Sequence, residues 1–125
     1  MKCLLDTHAF LWWMDDPGFL SEQARTTIKS GRNQIYMSAA VVWEMVIKKS
    51  LGKLDIPYQL DEALARNRFP VLPITVSHAL AVQTLPPLHR DPFDRILIAQ
   101  SLCEGLTLIT RDPSIIKYPI SFLVA

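Results

Sequence analysis

The sequence predicts an α/β fold with a mainly parallel sheet that is covered on both faces. Short apolar runs alternate with longer segments of helical character, which is the order of parallel strands joined by helices. The apolar runs show little alternation with polar residues, as expected of strands that are buried on both sides. Half of the 125 residues are hydrophobic and a fifth are charged, which favours a large core.

The first quarter of the chain predicts one strand and two helices. The apolar run 2–5 ends at an aspartate and has the character of a buried strand. Residues 9–14 are apolar and include two tryptophans, and the turn at 15–18 ends this predicted helix. Ser21 is a good N-cap for a polar helix that runs to about residue 30, where a glycine follows.

The middle of the chain predicts two strands and two helices. Residues 34–37 form the second strand, and Ser38 is an N-cap for a strongly apolar helix that ends near Gly52. Residues 60–68 have the spacing of a short amphipathic helix. Prolines interrupt the segment 69–74, so we predict that it is a strand at the edge of the sheet.

The last third of the chain predicts two helices and two strands. Residues 77–85 are helical up to a pair of prolines, and a second helix at 92–104 ends at a glycine. Residues 106–110 are a clear β run, and 120–124 form the last strand. No repeat, low-complexity segment or linker interrupts the chain, so we expect one domain over residues 1–125.

Composition and cysteine usage limit the class of protein. The formal net charge of +1 gives no global attraction to nucleic acid or membranes, so a polyanion would need a local patch or metal ions. Cys3 and Cys103 lie far apart in apolar stretches, which predicts small core residues and a reducing compartment. Asp6 comes too early for a signal peptide, and no apolar run approaches the roughly 18 residues of a membrane span. We expect a cytoplasmic protein.

Three aspartates are predicted to meet at the carboxyl edge of the sheet. Asp6 follows the first strand, Asp112 follows the strand LTLIT, and Asp94 lies in the first turn of a helix that begins on the same side. In such sheets, ligands bind at this edge. In HRDPFDR, Asp91 as N-cap, Pro92 at the first helical position and Asp94 two residues later also suit a helix start. Of the three converging acids, this local explanation covers Asp94 alone.

Glu44 is the fourth candidate, and two interpretations of it remain open. It is the only charged residue between Arg32 and Lys48, and it lies within the apolar stretch AAVVWEMVI. A carboxylate buried there needs a partner. An i,i+4 pair with Lys48 explains Glu44 as well as a role in the site does.

Clustered carboxylates without a histidine triad indicate hard oxygen ligands for Mg²⁺ or Mn²⁺ and argue against zinc. The acids repel one another, so a cation is needed to keep them ionised together. Such a site suits phosphodiester hydrolysis, in which one metal activates water and a second stabilises the leaving oxygen. Thr7 and Thr110 are supporting candidates, because their hydroxyls can orient ligands or water.

Four segments carry a family pattern: LLDTHAFLWW, SAAVVWEMVIKKSLGKL, LPPLHRDPFDRILIAQ and GLTLITRD. Together they resemble the motifs of PIN-domain ribonucleases, and more narrowly those of VapC-type toxins of type II toxin–antitoxin pairs. The resemblance covers nearly the whole chain. It implies a three-layer α/β/α sandwich, Mg²⁺-dependent RNA cleavage, a homodimer and a small antitoxin partner. The catalytic acids that it implies are, in order, Asp6, Glu44, Asp94 and Asp112.

The resemblance also implies that Asp6, Asp94 and Asp112 are metal ligands, with Asp91 as a further candidate. Three other groups of residues have competing interpretations. A histidine can act as a general base, but a lone one is more often structural or solvated; the histidines are His8, His78 and His89. The tryptophans suit base stacking, yet their apolar neighbours favour core or interface positions; they are Trp12, Trp13 and Trp43. The cations that suit phosphate contacts, or equally solvated faces, are Lys48, Lys49, Lys53, Arg95 and Arg111.

Other classes fit the residues less well. A phosphatase of the haloacid-dehalogenase type needs a second aspartate in DxD after the first strand, where this chain has DTH. A response-regulator receiver needs a lysine after a later strand, where Arg111 stands. A non-catalytic binding module that keeps the acids for metal-dependent structure is the alternative from a different class; it would be stabilised by metal but would cut nothing.

Overall fold

A five-stranded parallel sheet forms the centre of the molecule. The computed structural model describes residues 1–125. The strands are β1 (Lys2–Leu5), β2 (Gln34–Ser38), β3 (Val71–Leu72), β4 (Thr107–Thr110) and β5 (Phe122–Val124). Their order across the sheet is β3-β2-β1-β4-β5, and every neighbouring pair is parallel. The predicted α/β class with a parallel sheet is confirmed.

Six helices connect the strands, and most of the predicted capping residues hold their ends. The helices are α1 (Thr7–Asp15), α2 (Glu22–Lys29), α3 (Ala39–Ser50), α4 (Leu60–Arg66), α5 (Val76–Val82) and α6 (Pro92–Glu104), with a short 3₁₀ turn at Pro17–Phe19. Ser21 caps α2 and Ser38 caps α3, each through a side-chain oxygen that accepts a backbone N–H. Gly105 ends α6 with a φ of 65°, a left-handed conformation in which a glycine has no Cβ to strain.

Several elements differ from the prediction by one to four residues. Helix α1 begins at Thr7 and not at residue 9, because the Asp6 side chain caps it by accepting the Ala9 N–H. Strand β3 keeps only two of the six predicted residues, because Pro70 and Pro73 on either side have no N–H to donate. It is an edge strand, as predicted. Helices α4 and α5, and strands β4 and β5, are also shorter than predicted.

Both faces of the sheet are covered by helices. Successive side chains of a strand point to opposite faces, and Cys3, Leu4 and Leu5 of β1 are all fully buried. Leu108 and Ile109 of β4 are fully buried as well. The sheet is therefore the middle layer of an α/β/α sandwich, which confirms that expectation. None of the six helices has the length and apolar character needed to cross a membrane.

The prediction that both cysteines are core residues is wrong for Cys103. Cys3 is buried in β1, but Cys103 is exposed in the last turn of α6. The buried stretch of α6 ends at Ser101, and Leu102 and Glu104 are exposed beside Cys103. An apolar sequence neighbourhood therefore gave no information about which face of the final turn each residue occupies.

The strand order creates a crevice at the carboxyl ends of β1 and β4. The chain leaves β1 toward β2 and β3 on one side and later crosses to β4 and β5 on the other. Such a reversal of direction is where ligands bind in open parallel sheets. The Asp6 N–H donates to the Ile109 carbonyl at 3.2 Å, so Asp6 lies beside Thr110 just past the ends of the two strands. This places the first and last predicted acids on the same edge.

Candidate metal centre

The four predicted acids meet in one small polar cavity at the carboxyl edge of the sheet. The cavity has a volume of about 200 Å³ and no hydrophobic residue in its wall. It is lined by Asp6, Thr7, His8, Glu44, Lys48, His89, Asp91, Asp94 and Asp112. The structure thus brings together residues from α1, α3, α6 and the segment after β4. Five carboxylates face two histidines and one lysine in this space.

Asp6 and Glu44 are the most buried acids of the cavity, and each is 5% exposed. The Asp6 side chain lies at the start of α1, where Oδ1 accepts the Ala9 N–H at 2.7 Å. Burial raises the pKa of Asp6, while a hydrogen bond from the Thr110 hydroxyl and the bond from Ala9 oppose that rise. Desolvation has the largest effect on this carboxylate. A bound cation would offset that desolvation.

Asp112 is oriented by the residues on either side of it. Its N–H donates to the Thr110 hydroxyl at 3.1 Å, and its Oδ1 accepts the Ser114 N–H at 2.8 Å. Asp6 and Asp112 both serve as acceptors for local backbone N–H groups, so the expectation that a local role explains only Asp94 is wrong. Satisfying the backbone and facing the cavity are compatible, because a carboxylate has two oxygens.

The start of α6 supplies two further carboxylates. Asp91 is the N-cap, as predicted, and its Oδ1 accepts the N–H groups of Phe93 at 2.8 Å and Asp94 at 3.3 Å. Asp94 lies in the first helical turn, and its Oδ2 is 2.8 Å from Nε2 of His89. The same His89 nitrogen is 3.8 Å from Oδ2 of Asp112. An imidazole therefore lies between the third and fourth acids.

The charge of Asp94 is also strongly perturbed. Burial and the neighbouring Asp91 carboxylate raise the pKa of Asp94 to about 7, although His89 opposes the rise. The charges of Asp112 and Glu44 act in the same direction as Asp91. Part of the cluster is therefore protonated near neutrality until a positive charge enters the cavity.

Glu44 forms the predicted pair with Lys48 and also lines the cavity. It is buried, and its Oε1 accepts the Thr7 hydroxyl at 2.6 Å while its Oε2 pairs with Nζ of Lys48 at 2.7 Å. The bond to Glu44 raises the pKa of Lys48, so this ammonium stays charged at the cavity wall. Glu44 therefore lies in the cavity and fixes a cation and a hydroxyl there.

The donor set fits a hard divalent cation. Nε2 of His89 and carboxylate oxygens of Asp94 and Asp112 all lie within 4.8 Å of one another. Carboxylate oxygens of Asp6 and Asp91 line the same cavity, and Mg²⁺ and Mn²⁺ prefer such ligands. The cluster thus supplies oxygen donors for a cation. A bound cation would in turn offset the desolvation of the carboxylates and the repulsion between them.

The three histidines have different positions. His89 reaches the acid cluster, although its isolated position in the sequence favoured a structural or solvated role. His8 is exposed at the cavity wall, with its ring 5.8 Å from that of Trp12. His78 is buried away from the acids and forms a capping box with Thr75 at the start of α5. The only sequence signal for His89 was its position two residues before Asp91.

Two of the three tryptophans pack against the core, and the third is exposed. Trp12 and Trp13 pack against the hydrophobic core, as predicted, and the Trp13 indole donates to the Asn67 side chain. Trp43 is 59% exposed and meets Phe93 edge to face, with ring centroids 5.3 Å apart. Trp43 and Phe93 line an apolar groove of about 300 Å³ beside the start of α6.

The predicted cationic residues are bonded within the protein to different degrees. The Arg95 guanidinium donates to the Val82, Pro86 and His89 carbonyls and to the Tyr118 hydroxyl. Arg111 donates to the Phe19 and Ala125 carbonyls and lies 4.1 Å above the Trp12 ring. Lys48 bonds only to Glu44, and 42% of its side chain is exposed. Lys49 and Lys53 are exposed.

The family model of the PIN domain matches residues 3–120 of the sequence. The chain belongs to the PIN domain family. No curated protein sequence matches it significantly. The acid cavity described above therefore lies within a PIN domain, at the carboxyl edge of its sheet.

Solved structures show how widely this PIN fold is shared. VapBC2 of Rickettsia felis, bound to a DNA fragment from the promoter, matches with a TM-score of 0.73 and 16% identity over 98% of each chain. A toxin–antitoxin complex from Klebsiella pneumoniae matches with a TM-score of 0.68 and 18% identity over 98% of this chain and 96% of the other. DNA-bound VapBC from Salmonella typhimurium gives 0.68 and 17% over 98% and 97%. At these identities the likeness shows the fold.

The raised pKa of Asp94 predicts how the stability of the metal-free protein depends on pH. The folded state keeps this proton up to about pH 7, whereas an unfolded aspartate loses it near pH 4. The free energy of unfolding should therefore fall as the pH rises through this window. Asp94→Asn should make this decrease in the free energy of unfolding smaller. Part of the decrease that remains comes from Asp6, whose pKa is also raised. Melting curves in chelator at pH 5 and pH 8 measure the effect. The exposed Asp55 provides a control as Asp55→Asn, and an equal pH slope in wild type and Asp94→Asn would contradict the interpretation.

Asp91 should contribute to stability as the hydrogen-bond acceptor that caps α6 and not through its charge. Asparagine caps a helix about as well as aspartate, so Asp91→Asn should melt near the wild type. Asp91→Ala removes the acceptor of the Phe93 and Asp94 N–H groups and should cost about 1 kcal/mol. Denaturant unfolding of both variants makes the comparison. Equal stability of the two variants would show that the cap contributes nothing.

Proposed function

We propose that the protein is a Mg²⁺-dependent endoribonuclease of the VapC type, the toxin of a type II toxin–antitoxin pair. The observation that carries the proposal is the meeting of four acids from four distant segments in one polar cavity of a PIN domain; they are Asp6, Glu44, Asp94 and Asp112. Mn²⁺ is a possible substitute for Mg²⁺, because both take oxygen ligands. The proposed setting is the cytoplasm, and the proposed extent of the domain is residues 1–125.

In this proposal, Asp6, Asp94 and Asp112 hold the cation, with Asp91 as a further candidate ligand. When bound, the cation supplies charge neutralisation at the phosphate and activation of water for attack on phosphorus. Thr110 orients Asp112, because its hydroxyl oxygen accepts the Asp112 N–H, and it also lowers the pKa of the neighbouring Asp6. The short local hydrogen bonds keep each carboxylate in position before the substrate arrives, which reduces the reorganisation that the reaction requires.

Glu44 and Thr7 line the same cavity as the proposed metal ligands. Because both oxygens of Glu44 already accept hydrogen bonds, we assign it the positioning of Lys48. The Lys48 ammonium faces the cavity and can contact a phosphate oxygen of the RNA. Arg111 borders an adjoining cavity of about 250 Å³ that also includes Asp6 and Asp112 in its wall, so it remains a second phosphate contact. Arg95 is a weaker candidate, because the bonds already described occupy its guanidinium.

The protein partners in the proposal are a second copy of the chain and an antitoxin. Exposed apolar side chains support both, since a lone subunit rarely exposes a contiguous apolar surface without function. Ala40, Trp43, Ile74, Pro92, Phe93 and Ile96 line the apolar groove beside α6. We assign this groove to the homodimer. The likeness to a structure described as a toxin–antitoxin complex supports an antitoxin segment that covers the surface near the acids.

Cleavage of RNA with and without metal tests the proposal. The wild-type protein should cut RNA in Mg²⁺ and stop in chelator. Asp6→Asn and Asp94→Asn should lose nearly all activity, because each removes a proposed ligand charge. Asp6→Asn should remain folded in chelator, since an asparagine oxygen can still accept the Ala9 N–H and one source of repulsion is gone. Asp91→Asn should keep much of the activity.

The exposed Asp55 gives the matched control, and Asp55→Asn should cut RNA like the wild type. Metal-dependent stabilisation without any cleavage would favour the non-catalytic module. Release of phosphate from small monoesters without RNA cleavage would favour a phosphatase. If Asp91→Asn is folded but as inactive as Asp94→Asn, Asp91 is a working ligand in addition to a cap.

A lysine in the apolar groove should separate the two copies of the proposed dimer. Trp43→Lys places a charge beside Phe93 and Ile74, and it should convert a dimer to a monomer in sedimentation at micromolar concentration. Val124→Lys is the control, because Val124 is half exposed on β5, at the opposite edge of the sheet from β3. A wild-type monomer that does not respond to the neighbouring gene's product would contradict both proposed partners.

A further inference from the structure

The loop between α5 and α6 holds His89 in place with bonds from distant parts of the chain. The Tyr118 hydroxyl accepts the N–H groups of Leu88 at 3.2 Å and His89 at 3.0 Å. The same hydroxyl donates to the Pro86 carbonyl at 2.8 Å. Tyr118 is buried and lies near the end of the chain, so one side chain satisfies three backbone groups of this loop.

Arg95 clamps the loop from the other side. Its guanidinium donates to the carbonyls of Pro86 and His89 and to the Tyr118 hydroxyl, at 3.2 to 3.3 Å. A solvated surface histidine requires no such support. Two side chains from α6 and from the segment before β5 instead fix the backbone on both sides of one imidazole. Such support is typical of side chains that must keep a defined direction.

The direction of the His89 ring is toward the acid cluster. Nε2 is 2.8 Å from Asp94 and 3.8 Å from Asp112, and 18% of the side chain is exposed. Nδ1 is turned away and is 3.4 Å from the Asp91 N–H, which is a long contact. The nitrogen that faces the two carboxylates is therefore the one that can bind a cation held between them, in the tautomer whose proton is on Nδ1.

We propose that His89 is a nitrogen ligand of the cation, positioned by Tyr118 and Arg95, and that it gives the site a preference for Mn²⁺ over Mg²⁺. This inference rests on the proposed metal-dependent function. Both ions favour oxygen ligands, but Mg²⁺ binds almost only oxygens, whereas Mn²⁺ is a first-row transition metal that also accepts a nitrogen donor. In the metal-free protein, the same nitrogen is hydrogen-bonded to Asp94 and occupies an oxygen that a cation would use.

The two parts of the inference predict opposite effects on the two cations. Removing His89 removes a ligand that Mn²⁺ uses, so Mn²⁺ affinity should fall about tenfold or more. Removal also frees the Asp94 oxygen from its hydrogen bond, so Mg²⁺ affinity should stay the same or rise. The ratio of the two affinities is therefore more informative than either value.

The test uses the full chain without RNA. Mn²⁺ binding is measured by loss of the free-ion EPR signal, and Mg²⁺ binding by competition with Mn²⁺. Pulsed EPR of bound Mn²⁺ should show coupling to a ¹⁴N nucleus in the wild type. His89→Gln keeps a side chain that can donate to Asp94 and should lose the coupling and the preference; His89→Ala should do the same. His8→Ala is the control, because His8 lines the same cavity and should retain the coupling.

Tyr118→Phe tests the positioning role. It removes the hydroxyl that holds the loop and should weaken the Mn²⁺ preference while the ¹⁴N coupling becomes weaker or heterogeneous. If the wild type binds Mn²⁺ and cuts RNA with it but shows no ¹⁴N coupling, the inference is wrong and the proposed function stands. Equal changes in the affinities for both cations in His89→Gln would also refute it. A wild type that binds neither cation would overturn the inference and the proposed function together.

Discussion

Repulsion among closely placed carboxylates is the constraint on which the rest of this molecule depends. Five of them border a cavity of about 200 Å³, and burial further disfavours their charge. The protein offsets the repulsion with the Lys48 ammonium, the His89 imidazole and backbone N–H groups. Helix starts and strand ends provide those N–H groups, which explains why Asp6, Asp91 and Asp112 lie at this edge of the sheet.

Three of the carboxylates that form the cluster also accept hydrogen bonds from backbone N–H groups close to them in the sequence. Asp6, Asp91 and Asp112 each use Oδ1 to accept a backbone N–H within three residues. Each carboxylate therefore has its direction fixed by its own segment before the segments come together. The sheet then sets the distances between segments, because β1 and β4 are neighbours in register at Leu5 and Ile109. The local hydrogen bonds and the register of the sheet together hold these carboxylates in place.

Sequence patterns predicted what depends on neighbours along the chain. The caps Ser21 and Ser38, the end of α6 and the position of each acid after its strand follow from local chemistry. The position of His89 beside the acids did not follow, because its backbone is held by Tyr118, 29 residues away. The exposure of Cys103 and of Trp43 was equally hidden, since an apolar sequence does not show which face of a helix meets the sheet.

The place of β1 in the middle of the sheet has a consequence for how the protein comes into being. Strand β1 is made first on the ribosome, yet its neighbour β4 begins only at Thr107. About a hundred residues must therefore be translated after Asp6 before Thr110 and Asp112 can pack beside it. A chain that ends before β4 has three of the five strands and lacks Asp112. If the protein cuts RNA as proposed, its site is complete only after most of the domain has been synthesised.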